Sequence, residues 1–485
     1  MTSVLWYRQD LRVSDHDALL AACARGPVVP VFVWHPQGEG AWPPGGAQCW
    51  WLDGSLRALD GELRSRGSRL VIRVGDPAVE LASVAKSVGA ASVLCSRRYE
   101  PAAMRDEERV ADALEREGIR LERLGSTLLF DPFAIRSGSG TPYKVFTPFW
   151  RACLASQAPA RPQSAPSRIP APAAWPDGAD IDSLALRPSI PWDAGMREAW
   201  RPGEVAGRAR LATFVAGAVG EYAASRDVPG VDGTSMLSPY LHFGEVSPRE
   251  AWHAAGDALK SRGSDFVANA EKFRAELGWR DFGSHVLANF PRTAEDPLRI
   301  EFRRFPWRSD AAQLRAWQRG RTGYPFVDAG MRQLWRTGWM HNRVRMVVAS
   351  FLTKHLRMDW MHGARWFWDT LVDADLGSNT LGWQWAGGCG ADAAPYFRIF
   401  NPVTQGEKFD PEGDYIRRWV PELANVPAKY LHSPWEAPPL ALSMSGVTLG
   451  VEYPHPIVDH VRARNEALEA LTTISAKTGP AEGPD

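Results

Sequence analysis

The strongest constraint on this chain is a change of hydrophobic period along it. Up to about residue 130, short apolar runs alternate with helical patterns. The runs are VLWY (4–7), VVPVFVW (28–34), LVIRV (70–74), SVLCS (92–96) and a weaker LERLG (121–125), and the helices fall near 48–66, 77–88 and 101–118. Each helix is long enough to be the crossover of a parallel sheet, so the expected fold here is a doubly wound α/β domain. From about 204 onward strands almost vanish. The patterns at 204–225, 248–260, 265–288, 311–318, 325–336 and 339–356 all read as helix, which predicts an all-α second domain. Between the two, residues 157–202 hold nine prolines among Ser, Ala and Arg, a composition that supports no regular helix or central strand. The expected organisation is an α/β domain over 1–130, a linker over 131–203, a helical domain over 204–471 and a frayed tail over 472–485. Trp175, Trp192 and Trp200 favour burial, so the linker is expected to lie against the surface.

The chain has 485 residues, more than one core usually organises, and 45% of them are apolar. No apolar run reaches the length of a membrane span. The N-terminus, MTSVLWYRQDLRVSD, becomes charged before a signal peptide could form, which predicts a cytoplasmic protein. Cys23, Cys49, Cys95, Cys153 and Cys389 lie far apart with no CxxC pair, and read as buried or incidental thiols, not a disulfide or metal set. Net charge is zero, yet residues 329–358 carry Arg332, Arg336, Arg343, Arg345, Arg357 and Lys354 without an acid. That run reads either as one basic face against phosphates or as a chain-wide arginine bias.

After the first strand comes WYRQDLRVSDHDAL, not GxGxxG, and its Arg and Asp side chains would obstruct a pyrophosphate, so a dinucleotide site is not expected there. GTSMLSPYLHFGEVSPRE (233–250) reads as a series of helix starts, with a capping box at Ser247–Glu250 and hydroxyls at Thr234, Ser235 and Ser238 before Pro239. KFRAELGWRDF (272–282) puts Glu276, Trp279 and Arg280 within one helical turn, which suits an amphipathic helix with a buried Trp as well as a binding face. Asn342 and Met346 of GWMHNRVRM are i,i+4 and share a face, whereas Arg343 points elsewhere. Asp373 and Asp375 are i,i+2, so they are not a paired general acid and base, and no ligand cluster accompanies them to make a metal site.

These segments, with DADLGSNTLGWQW (373–385) and DAAPYFRIFNP (392–402), closely resemble the photolyase and cryptochrome flavoproteins, over about residues 1–470. The resemblance implies an N-terminal antenna-chromophore domain and a C-terminal helical domain holding FAD, reduced and anionic in its active state. It implies flavin contacts at Tyr222, Thr234, Ser235, Met236, Leu237, Ser238, Phe273, Arg280, Asn342, Arg345, Asp373, Asp375 and Asn379, with Arg345 pairing Asp373. The lesion would meet Glu276, Trp279, Asn342, Met346 and Trp385. DNA would meet Arg226, Arg280, Arg343, Arg398, Gln405 and Lys408. Trp383, Trp360 and Trp307 match the family's electron-hopping chain.

HNRVRM, Glu276 and an Asn at 379 are the pattern of the class I cyclobutane-dimer enzymes, which implies light-driven electron transfer from reduced FAD to a flipped-out dimer in UV-damaged DNA, ring opening and return of the electron. The alternative is a cryptochrome-like blue-light photoreceptor without repair, whose usual long C-terminal extension is missing here. The antenna, methenyltetrahydrofolate or 8-hydroxy-5-deazaflavin, is left open by the residues near Glu100. A monomer without a protein partner, membrane or metal is the family expectation.

Overall fold

The computed structural model describes residues 1–260, 264–393 and 397–475. Five strands, β1 (Ser3–Tyr7), β2 (Val28–Trp34), β3 (Val71–Val74), β4 (Ser92–Arg97) and β5 (Arg120–Ser126), form one parallel sheet in the order β3-β2-β1-β4-β5. Val4 registers with Val29 on one side and with Val93 on the other, so the chain winds outward from β1 in one direction and then restarts in the opposite one. Both faces of such a sheet are covered by its crossovers, which is why the strands are apolar at nearly every position. Val4, Trp6, Val29, Val31, Val93 and Cys95 make this core with Leu81, Val84, Val110 and Leu114 from the helices. The weak fifth run forms the edge strand, where Arg123 pairs with Glu107 at 2.7 Å.

The expected crossover helices are present as α2 (Gly46–Ser65), α3 (Pro77–Ser87) and α4 (Pro101–Glu115), and a further one, α1 (Asp17–Arg25), lies between β1 and β2. Its N-cap is the buried ring of His16, whose Nδ1 accepts the Leu19 N–H at 3.2 Å while Nε2 meets Asp10 at 3.0 Å. Arg12 donates to the carbonyls of Ser14, Asp15 and Gly244. The turn after β1, where a dinucleotide would sit, is therefore filled by its own side chains.

The expected linker is more ordered than its prolines imply. It contains α5 (Phe146–Ala155) and a short helix at Ala194–Ala199, and Trp200 is buried, Trp175 packs against the sheet core, but Trp192 stays exposed. The helical patterns are observed at Pro248–Lys260, Ser264–Asn289, Ala311–Gln318 and Pro325–Thr337; the last pattern becomes Asn342–Ser350 followed by one turn of π-helix, Phe351–His355. The last helix, His460–Ser475, runs past the expected start of the tail, because Ala463, Ala467, Ala470 and Ile474 form a buried stripe. The rest of the tail lies outside the described residues.

By internal contacts the chain forms two compact units, cut differently from the sequence expectation. One comprises Met1–Ala223, Thr234–Pro291 and Val372–Gly377; the other comprises Ala224–Gly233, Arg292–Leu371 and Ser378–Asp485. The second unit has a core of Trp317, Phe326, Val344, Val348, Phe351 and Tyr415. In it, buried Asp328 accepts from the Thr322 N–H and hydroxyl, the Gly323 N–H and the Tyr453 hydroxyl, tying three segments together.

Candidate functional site

In the first unit, the Thr234–Leu237 loop leads into the short helix Ser238–His242. No side chain caps that helix, which carries Pro239 in its first turn and follows the half-buried hydroxyls of Thr234 and Ser235. Ser235 Oγ accepts the Leu237 N–H at 3.4 Å, and Met236 takes a left-handed φ of 54° that a non-glycine residue seldom adopts. The expected capping box further on is present: Ser247 Oγ accepts the Glu250 N–H at 3.0 Å, and Glu250 accepts the Ser247 N–H at 3.3 Å. Tyr222, Phe273 and Phe214 form an aromatic trio, with Tyr222 and Phe273 centroids 5.6 Å apart. Asp373 is buried, and Asp375 partly so.

Glu276 and Trp279 are half-buried on the Ser264–Asn289 helix. The Trp279 ring lies flat against Phe146, a residue of the supposed linker that sequence reasoning missed although VFTPFW is an aromatic run worth noticing there. Arg280 does not reach outward. Its guanidinium donates to the carbonyls of Thr127 at 2.6 Å and Leu241 at 3.1 Å, so a direct contact to a DNA phosphate is not what this geometry offers. Asp281, also missed, is buried and accepts the N–H groups of Leu129 and Phe130, both at 2.9 Å. Burial pushes its carboxyl up to about 7, against the pull of Arg280 and those two N–H groups.

In the second unit, His341 caps the Asn342–Ser350 helix through Nδ1, which accepts the Arg343 N–H at 3.2 Å, and burial lowers its pKa to about 4. Asn342 is exposed and Met346 half-buried. Arg343 is not a free phosphate ligand: it donates to Asp227 at 2.8 Å and stacks over Phe409 at 4.3 Å. Arg226 lies 3.9 Å from the same Asp227. Arg345 donates to the Met340 carbonyl at 2.7 Å.

The basic run 329–358 is accordingly not one open face. Arg332 pairs with Glu422 at 2.7 Å, Arg357 approaches Glu466 at 3.8 Å, and Lys354 is buried, donating to the Gly387 carbonyl at 2.9 Å. Helical spacing of 3.6 residues distributes consecutive cations around the helix, so a basic sequence does not make a basic face. Arg398 and Lys408 are exposed, and Gln405 is half-buried.

Asn379 is buried, and its amide nitrogen donates to the Ala364 carbonyl at 3.0 Å, which leaves Oδ1 as an acceptor. Trp383 is 2% exposed and meets Phe367 edge-on at 4.9 Å; Trp360 is 3% exposed and begins the Trp360–Thr370 helix that carries Ala364 and Phe367. Trp307 is half-buried, 4.4 Å from Phe305, and the Arg308 N–H beside it bonds the Arg357 carbonyl at 2.6 Å. The indoles thus grade from buried to partly exposed. Trp385 stacks on Phe400 at 6.3 Å.

Residues 3–171 match the DNA photolyase family model and residues 273–473 the model for the FAD binding domain of DNA photolyase. The chain is 46% identical to a deoxyribodipyrimidine photo-lyase of Agrobacterium fabrum, covering 98% of both. It is 39% identical to Cryptochrome-1 of Arabidopsis thaliana, covering 99% of this chain and 73% of that one. A crystal structure of a bacterial class III photolyase from Agrobacterium tumefaciens superposes with a TM-score of 0.94 at 45% identity, covering 98% of each chain.

The residues present fit the flavin that the second family model names: the half-buried hydroxyls of Thr234 and Ser235 can donate to the oxygens of a diphosphate. Among the described residues no group of three or more His, Cys, Asp or Glu could hold a metal ion, and no helix is long and apolar enough to cross a membrane. A parallel five-stranded sheet domain, a helical FAD-binding domain and full-length identity to named relatives together make this chain a member of the photolyase and cryptochrome family of flavoproteins.

Proposed function

We propose that this protein repairs UV-damaged DNA by splitting cyclobutane pyrimidine dimers under light. FAD, when bound and reduced, supplies the light-driven electron, and the chain supplies binding, orientation and electrostatics. The observation that carries the reading is the half-buried Trp279 indole, backed by Phe146, with Glu276 one turn before it on the same helix. A rigid indole with one open face stacks on an extruded base, an interaction worth on the order of 1–3 kcal/mol per base. The Glu276 carboxylate accepts from pyrimidine N–H groups at that face.

Within the first unit we assign to the flavin Tyr222, the 234–238 loop, Phe273, Asp373 and Asp375; Arg345 and Asn379 keep the flavin role that the resemblance implies. Asn342, Met346 and Trp385 are assigned to the lesion, with Arg226, Arg343, Arg398 and Gln405 on the DNA backbone. Arg280 is assigned to holding the Leu241 carbonyl beside the flavin loop. Trp383, Trp360 and Trp307 carry the oxidising hole outward, which their graded exposure supports. An antenna pterin or deazaflavin is placed in the sheet-bearing unit near Glu100, whose carboxylate meets Arg98 at 3.2 Å.

Class I, the sequence expectation, is narrower than the relatives support, since the crystal structure at 45% identity is that of a class III photolyase; we read this chain as a dimer photolyase of that kind. The second reading, a photoreceptor without repair, is favoured by the 39% identity to Cryptochrome-1. The deciding experiment follows blue-light-dependent loss of a thymine dimer and of a (6-4) lesion in separate oligonucleotides with the reduced protein. Loss of the cyclobutane dimer alone is expected. If neither lesion disappears while FAD is held, the photoreceptor reading replaces repair.

A further inference from the structure

The Ser238–His242 helix ends in a buried histidine, 4% exposed, that no role above uses. Its Nδ1 faces Asp375 Oδ2 at 3.8 Å, and its Nε2 lies 3.5 Å from Gln48 Nε2 of α2; all three residues belong to the first unit. The orientation of the Gln48 amide follows from its other neighbours. Oε1 accepts the Gly45 N–H at 2.8 Å, and Nε2 donates to the Ala374 carbonyl at 2.6 Å. The group that faces His242 Nε2 is therefore an N–H, and the ring meets it as an acceptor. The ring proton is left on Nδ1, toward Asp375. One amide thus grips the backbone beside Asp375 and selects the tautomer of the ring that faces its carboxylate.

We propose that Gln48 and His242 are positioning residues for the Asp375 carboxylate. Gln48 holds His242 in its Nδ1–H form, which turns its N–H toward the Asp375 carboxylate from 3.8 Å, beyond hydrogen-bond reach, while the clamp on Ala374 keeps that carboxylate in place beside the flavin. The inference rests on the flavin role proposed for Asp375. A carboxylate next to a flavin that gains negative charge on reduction opposes that reduction, so the charge and placement of its neighbours set the balance of oxidised and reduced cofactor.

The donor at Gln48 is the testable element. Gln48→Glu replaces the N–H facing His242 with an acceptor, and the ring is then free to carry protons on both nitrogens, placing a cation against Asp375. The other ionisable groups around this cluster are Glu100 and Asp281, which both interact electrostatically with Asp375, and Arg280, which bonds the carbonyl preceding His242. They are common to wild type and variant, so the difference between the two reports the ring together with the carboxylate introduced at position 48.

The experiment is a spectrophotometric redox titration of FAD bound to the full-length protein, against a reference dye, from about pH 6 to about pH 9. Relative to wild type, Gln48→Glu is expected to shift the balance toward oxidised FAD by about tenfold at the alkaline end, where the added carboxylate stands unopposed, and to lose that shift at the acid end, where the ring carries a compensating proton. His242→Asn, which retains an N–H toward Asp375, is expected to track wild type, and His242→Phe to depart from it. Gln48→Glu superimposing on wild type at every pH overturns the proposal, as do His242→Asn and His242→Phe curves that coincide if the first variant does not fold. A wild-type protein that takes up no FAD overturns the flavin reading itself; one that holds FAD and is insensitive to these changes overturns only this inference.

Discussion

Phe146 and Trp279 lie face to face, their ring centroids 3.8 Å apart and their planes inclined by 10°. One side of the indole is thus committed to the protein. The pair also joins α5 to the Ser264–Asn289 helix, so a residue from the proline-rich half of the chain sets the pitch of the surface on which a base is proposed to stack. Trp279→Ala is expected to weaken binding of dimer-containing DNA by about tenfold, from the 1–3 kcal/mol of a lost stack, whereas Trp279→Phe keeps most of it. Fluorescence anisotropy with damaged and undamaged duplexes checks this, and equal loss on both would reject a lesion-specific stack.

Asp281 makes stability depend on pH. Its carboxyl is raised from 3.8 to about 7 by burial, so the native state holds a proton that the unfolded chain has already released. Stability therefore falls as pH rises from about 4 to about 7 and stays lower above that, by on the order of 4 kcal/mol at most. Asp281→Asn keeps an acceptor for the Leu129 and Phe130 N–H groups and removes the charge. Its urea midpoint at pH 8 is expected to exceed that of wild type, with the two converging as pH falls to about 4; a variant less stable at both values would contradict this.

Gly363 is required by Trp383. A Cβ at 363 would fall inside van der Waals contact of the indole, on the helix that Trp360 begins. Gly363→Ala is expected to cost about 1–3 kcal/mol, as overpacked cores do, and to slow photoreduction of FAD by displacing the ring. Thermal unfolding and light-induced bleaching of the oxidised flavin measure the two effects separately.

The graded exposure of the three indoles gives a second light-dependent test. Trp307→Phe is expected to abolish photoreduction of oxidised FAD while leaving repair by chemically reduced protein intact. Loss of both activities would show that Trp307 acts through folding, not through hole transfer.

Arg343 is restrained by Asp227 and by the ring of Phe409. Arg343→Ala is expected to weaken DNA binding to all sequences alike and to reduce the slope of log affinity against log salt by about one. Asp227→Asn, which releases the guanidinium, is expected to act in the opposite sense. Affinities measured at several salt concentrations decide between them, and an unchanged slope in both would remove Arg343 from the DNA contacts.

The sheet was legible because its central strands are short, mostly apolar runs: VVPVFVW is β2 residue for residue, and SVLCS falls within β4. The helix α1 was not, because it is nine residues long and its cap is an imidazole, not a Ser, Thr or Asp. The resemblance named Asn379 and the three tryptophans, and the structure adds that Asn379, Trp360 and Trp383 are buried. Arg280 and Arg343 were assigned to DNA by the resemblance, and only the structure gave their partners, backbone carbonyls for one and Asp227 for the other.

The sequence by itself determined the fold class, the family and the residue types available for chemistry, since these follow from local periodicity and from motifs a few residues long. Tertiary structure alone decided which side chains meet: Phe146 with Trp279 across 133 positions, Gln48 with His242 across 194, Asp281 with Phe130 across 151. Pairs so distant are made by packing of whole elements, and no local pattern in the chain encodes which partner a buried ring, amide or carboxylate will find.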